Sequence, residues 1–235
     1  MHAIRRSDAL LASHPLHAFY WPLFAAYVYS YISGALIVLA APELVALFDA
    51  DGTGANREKW IYACVLQGLI LLRMSLWAEK TTGQPFGAPV RADMKWFAFA
   101  VFAVPIIHSV SFDLMGGLFS VGEGDWTIRD DFDNSMFEMN QYSLMLLYVI
   151  LIAPIVEEVG FRGILLGFFR GRGMPKIIAV LITAAGFAAL HTQYTLPAIA
   201  AVFILGLVLG WLRLASNSIG PPIIAHIAVN AMVVL

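Results

Sequence analysis

Hydrophobic positions in this chain come in long blocks rather than at the spacing of a single helical face. Seven runs stand out, roughly His17 to Ala41, Trp60 to Trp77, Trp96 to Leu118, Tyr142 to Phe169, Ile177 to Gln193, Leu196 to Leu214 and Ile219 to Leu235. Each comes close to the ~20 residues that cross ~30 Å of hydrocarbon at ~1.5 Å per residue. The runs lack the period-two alternation of membrane strands. Since a spanning segment must pair its own backbone groups in lipid, helices are expected. The predicted fold class is all-α: a single integral membrane domain over residues 1–235, built as a polytopic transmembrane helix bundle of about seven spans. A segment around Pro42 to Phe48 that entered the bilayer would make eight.

Composition agrees. Of 235 residues, 60% are hydrophobic and 13% charged, too few polar side chains to cover a soluble domain. The net charge of -2 leaves no basic surplus for phosphate backbones, so nucleic acid is excluded as a partner. Cys64, the single cysteine, can make neither an internal disulfide nor a thiolate metal cage. The first run follows Arg5 and Arg6, is long, and lacks a small-residue cleavage site, so it is read as a retained helix. With the N-terminus cytoplasmic, Arg5, Arg6, Lys80, Arg91, Lys95, Arg170, Arg172, Lys176 and Arg213 fall inside, against Arg57, Lys59 and Arg129 outside. That asymmetry fits the excess of cations in cytoplasmic loops and a bacterial inner-membrane location. The acidic stretch Val121 to Gln141 is expected to be an external loop or interfacial cap, most simply a solvated face.

Ionisable groups inside apolar helices are costly and mark functional candidates. The fourth run holds Glu157, Glu158 and Arg162. Two acids and one base cannot all neutralise one another. Glu158 and Arg162, four apart with the acid first, suit an ion pair, while Glu157 is rotated by ~100° and can face another compartment. Phe187 and His191 share a face in the fifth run, as do His226 and Asn230 in the seventh. His108 beside Ser109 in the third run is read as an interhelical hydrogen-bonding group. Counted from the cytoplasmic ends, Glu157, His191 and Asn230 lie at depths of roughly 18 to 22 Å, with His226 one turn shallower. A carboxylate with a nearby imidazole can take a proton from water. A second imidazole with a carboxamide offers donors to the oxyanion of a tetrahedral intermediate. The set suits hydrolysis of a peptide bond by activated water, with no covalent intermediate.

The ordered patterns Glu-Glu-x-x-x-Arg at 157–162, Phe-x-x-x-His at 187–191 and His-x-x-x-Asn at 226–230 resemble the three motifs of the CAAX-protease and bacteriocin-processing family, also called CPBP or Abi intramembrane proteases. The resemblance covers about Leu144 to Leu235, within a catalytic core drawn at 142–235. It implies that Glu157 and His191 activate the water, that His226 and Asn230 stabilise the oxyanion, and that Glu158, Arg162 and Phe187 support the site. It also implies a membrane-associated or lipidated peptide or protein as substrate. No cofactor is expected; Glu157, His191 and His226 form the alternative zinc set, with Asn230 an unusual ligand.

Other signatures are weaker. There is no His-Glu-x-x-His and no Gly-x-Ser-x-Gly. Gly122-Glu123-Gly124-Asp125 mimics an intramembrane aspartyl-protease motif but falls in the acidic stretch. Gly163-x-x-x-Gly167 and Gly206-x-x-x-Gly210 are expected to be helix-packing sites. A transporter or immunity-type binding protein could use the same polar set without cutting anything, though the chain lacks the repeated halves common in transporters. Oligomeric state is left open by the sequence.

Overall fold

The computed structural model describes residues 6–14, 54–84, 86–119, 146–191 and 194–234. The expected first span, the Pro42 to Phe48 segment and the acidic stretch with its Gly-x-Gly-Asp lie outside these residues. Among the described residues all regular structure is helical. The elements are α1 (Arg6–Ala12), α2 (Gly54–Thr82), α3 (Met94–Phe119), α4 (147–171), α5 (Lys176–Ala189), α6 (Leu196–Ala215) and α7 (Gly220–Val234).

Local sequence explains the breaks. Gly173, at φ 82°, supplies the left-handed residue that stops α4, and Pro175 precedes α5. Pro197 opens α6 and Pro221 opens α7, where a missing N–H costs nothing. Between these two helices Asn217 takes φ 62°, and Ser216 Oγ accepts from the Ser218 N–H.

α3 and α4 are not uniform rods. α3 widens into a π turn at Phe99–Ala103. In α4, π segments at Leu147–Ile152 and Val159–Leu165 flank the α-helical hexamer Ala153–Glu158 that carries both glutamates. π turns in α-helices are frequent at functional sites.

Three apolar clusters hold the helices together. Met74 and Ala78 of α2 pack with Val156, Val159 and Ile164 of α4 and Ile223 of α7. Ala100 and Val104 of α3 meet Leu205, Leu209 and Leu212 of α6 and Ala225 and Val229 of α7. Phe187 and Ala188 of α5 meet Val202 of α6. Both expected glycine pairs sit at close approaches. A Cβ on Gly206 would lie 3.0 Å from the Ala184 Cβ and one on Gly210 2.9 Å from Val180 Cγ1, so α5 and α6 nearly touch backbone to backbone. Gly163 faces the Phe86 carbonyl, and Gly167 faces Leu11 of α1.

The outer surface is apolar. Phe102, Ile106, Val110, Leu114 and Leu118 make an exposed stripe on α3 at four-residue spacing, about 24 Å long. Val65, Leu69, Leu72 and Leu76 do the same on α2. Such faces are unstable in water and suit lipid. By length and apolarity alone, Met94–Phe119 and Leu196–Ala215 can each cross a membrane, whereas α5 and α7 are shorter apolar helices. α4 owes its exclusion to its own chemistry, because Glu157, Glu158 and Arg162 interrupt it.

Segments grouped by the cation count also meet at one end of the bundle. Asp8 lies 3.9 Å from Arg213, α1 packs against Gly171, and the Ile219 N–H donates to the Pro89 carbonyl. Arg213, counted on the cytoplasmic side, is buried in the last turn of α6.

Candidate active site

The two adjacent glutamates of α4 differ sharply in surroundings. Glu158 is 0% exposed, and its Oε1 receives Arg162 Nη1 at 2.7 Å and lies 3.0 Å from His226 Nδ1. Glu158 Oε2 has no hydrogen-bond partner among the described residues. The side chain of Glu157, one residue earlier and rotated ~100°, is 31% exposed and places Oε2 3.8 Å from His226 Nε2. His226 therefore spans the two carboxylates, one at each ring nitrogen. An ionised carboxylate only accepts hydrogen bonds, so the proton on Nδ1 is assigned from this network. The sequence left one acid without a basic partner, and the structure puts His226 beside it.

Arg162 is fully buried, an expensive location unless the charge is well satisfied. Besides Glu158 it donates Nη2 to the Gly206 carbonyl at 3.2 Å. Its guanidinium carbon lies 4.5 Å from the centre of the Phe187 ring. Gly206 thus has a second role, since its close approach to α5 brings a backbone oxygen within reach of the arginine. α4 and α6 are tied by that bond.

Phe187 is the hub of the aromatic side of the site. Its ring centroid stands 4.8 Å from His191, 5.5 Å from His226 and 5.5 Å from Phe161. The fifth run was expected to stay helical to Gln193, but α5 ends at Ala189 and His191 lies just beyond. Its Nδ1 is 2.9 Å from the Phe187 carbonyl, which also accepts the Leu190 N–H at 3.2 Å at this helix end. Tyr194 stacks on it at 5.5 Å and 26°. The ring is thereby fixed with Nε2 away from the helix end.

Asn230 answers a gap in α4. The Ala153 N–H reaches back five residues to the Tyr148 carbonyl, and the next donor in that register would come from Pro154, which has none. The Val149 carbonyl takes Asn230 Nδ2 instead, at 2.8 Å. A carboxamide carries a second hydrogen on the same nitrogen. Nothing in the spacing of His226 and Asn230 announced this bond, because it depends on a π turn and a proline on another helix.

The structure therefore gathers Glu157, Glu158, Arg162, Phe187, His191 and His226 into one cluster and ties Asn230 to the adjoining turn of α4. α3 also packs beside the His226-bearing helix, with Val104 against Ala225 and Val229, and His108 lies one turn beyond Val104 on the same buried face. Among the described residues no three His, Cys, Asp or Glu side chains are arranged to hold a metal ion. His226 turns Nε2 toward Glu157, but no third ligand is placed with the two among the described residues, and no step below passes through a metal.

A helical membrane-type bundle with a buried glutamate–arginine–histidine network is the class that fold and site define. Residues 139–232 match the family model for type II CAAX prenyl endopeptidase Rce1-like proteins, which supports a CAAX-protease type of family for this segment. An uncharacterized 24.3 kDa protein of Escherichia coli is 35% identical over 91 residues, 38% of this chain and 42% of the relative. The chain thus aligns with well under half the length of that curated relative. No solved structure matches.

Proposed function

We propose that this protein is an intramembrane endopeptidase that hydrolyses a peptide bond of a membrane-associated or lipidated peptide or protein, using water activated by Glu157. The observation that carries the reading is the contrast between neighbours: Glu158 is wholly enclosed, whereas Glu157 is open enough to meet water and has an imidazole nitrogen 3.8 Å away. That separation exceeds a hydrogen bond, yet a single water about 2.8 Å from each atom fits between or beside them.

In this reading Glu157 accepts the water proton while the oxygen attacks the scissile carbonyl, and His191 assists from the far side of Phe187. With Nδ1–H held by Glu158, an imidazolium form of His226 also carries a hydrogen on Nε2, and this and the second Asn230 hydrogen donate to the oxygen as it gains charge. Glu158 holds His226 by Nδ1, and Arg162 balances Glu158. The proton held by Glu157 then passes to the leaving amine, so atoms and charge balance without a covalent enzyme intermediate. Metal-free chemistry, a fold of about seven spans, and a cytoplasmic N-terminus in a bacterial inner membrane belong to the same proposal. The apolar stripes on α2 and α3 support embedding of the whole bundle.

The test is cleavage of a farnesylated, fluorogenic peptide by protein reconstituted in vesicles, comparing the parent with Glu157→Gln and His191→Ala. Loss of general acid–base catalysis typically costs about 10²–10⁴-fold. Folded variants that cut at the parental rate would end the proteolytic reading.

A further inference from the structure

We propose that His108 is a substrate-binding residue of this site, hydrogen-bonding the peptide backbone beside the scissile bond through Nδ1. The inference rests on the hydrolase reading above and adds a residue from α3, outside the three motif-bearing helices and outside the family match at 139–232.

The argument begins with the face on which His108 stands. Val104, Pro105, His108 and Ser111 form the buried side of α3, opposite the lipid-facing stripe of Ile106, Val110 and Leu114. Val104, one turn before His108, packs against Ala225 and Val229, which bracket His226 on α7. The imidazole is 8% exposed, and its Nδ1 is buried with no hydrogen-bond partner among the described residues. Ser111, on the same face, is satisfied by the Ile107 carbonyl within its own helix, so His108 stands out as an exception on this face. Phe112, with its ring centroid 6.3 Å away, packs against the imidazole but offers no acceptor.

A buried polar nitrogen with nothing to bond costs free energy, and a simple packing residue at this position would be apolar. The nitrogen therefore calls for a partner that the described residues do not supply. Because Val104 meets Ala225 and Val229, His108 stands on the side of α3 that faces the His226-bearing helix. A peptide backbone entering the cluster supplies both a C=O and an N–H, either of which an imidazole nitrogen can pair with, depending on its tautomer. Backbone recognition also suits an enzyme that must hold an extended segment whatever its side chains.

The experiment uses the full chain in nanodiscs and a fluorescent farnesylated peptide ending in a Cys-aliphatic-aliphatic-Ala sequence. Binding is measured by anisotropy in a Glu157→Gln background, so that Kd is read without turnover. His108→Leu, which keeps the approximate volume and removes both nitrogens, should weaken binding about 10-fold while leaving the thermal midpoint equal to or above that of its background. His108→Asn, whose amide reaches close to the Nδ1 position, should restore Kd to within about three-fold. Unchanged binding by the Leu variant, or parallel loss of binding and thermal midpoint in both variants, overturns the role. Cleavage by the Glu157-containing protein is scored separately. Cleavage that depends on Glu157 but is indifferent to His108→Leu removes His108 and leaves the hydrolase standing. Cleavage indifferent to Glu157 removes the hydrolase mechanism, while the Kd comparison still decides His108.

Discussion

Consecutive glutamates should respond in opposite ways to the same conservative change. Glu158→Gln removes the counter-charge that Arg162 Nη1 meets at 2.7 Å, in a place where both side chains are 0% exposed. The guanidinium keeps the Gly206 carbonyl and the Phe187 ring, neither of which carries a negative charge. Breaking one half of a buried pair costs about 3–5 kcal/mol because the other charge remains enclosed, which is more than a hundred-fold in the folded-to-unfolded ratio. Glu157→Gln takes charge from a side chain that is 31% exposed and has no hydrogen bond at 3.8 Å, so its effect should stay within about 0.5 kcal/mol. The assay is reversible unfolding by sodium dodecyl sulfate in mixed micelles, followed by tryptophan fluorescence, on Glu158→Gln, Glu157→Gln, Arg162→Met and Glu158→Gln/Arg162→Met. The double variant should recover much of the loss, since no charge is stranded. If Glu158→Gln and Glu157→Gln unfold at the same detergent fraction, the assignment of the enclosed pair is wrong. If the double variant is as unstable as the sum of its parts, the pair is not coupled.

Asn230→Ala should lower kcat by about 10²–10³-fold, the usual cost of one oxyanion donor. It also strands the Val149 carbonyl, so the thermal midpoint should fall too, and unchanged turnover would reject the donor role. Gly163→Ala should destabilise by roughly 1–3 kcal/mol, because its Cβ meets the Phe86 backbone oxygen, while Gly117→Ala, with nothing within 4 Å, should be neutral or stabilising by up to about 1 kcal/mol; melting curves in detergent decide between them. Treatment with 1,10-phenanthroline followed by gel filtration should leave peptide cleavage unchanged, and restoration of lost activity by added zinc would reverse the metal-free proposal.

Helical class and approximate segment positions were legible because 3.6-residue geometry and lipid leave few alternatives for long apolar runs. The Glu158–Arg162 pair was legible for the same reason, as a four-residue spacing on one helix. So were the packing glycines, whose spacing fixes a common face. Features that depend on two helices at once were not. The bridging of Glu157 and Glu158 by His226 requires the relative rotation of α4 and α7, which no local pattern encodes. The bond from Asn230 to Val149 needs a widened turn and a proline on another helix, which the His226–Asn230 spacing does not encode. His191 falls past the end of α5, where its ring meets the Phe187 carbonyl. The proximity of Arg213 to Asp8, 205 positions earlier in the chain, is likewise invisible to any local pattern.

The two wide turns of α4 make the site far more sensitive to chain length than to composition. Every residue removed from Val159–Leu165 turns whatever follows by about 100° and draws it about 1.5 Å closer. A one-codon deletion after Glu158 would swing the guanidinium off its carboxylate and away from Gly206 at once, whereas most apolar swaps in the same stretch would leave that bearing intact. Indels between positions 147 and 165 should therefore be far rarer among working variants than exchanges of one aliphatic side chain for another.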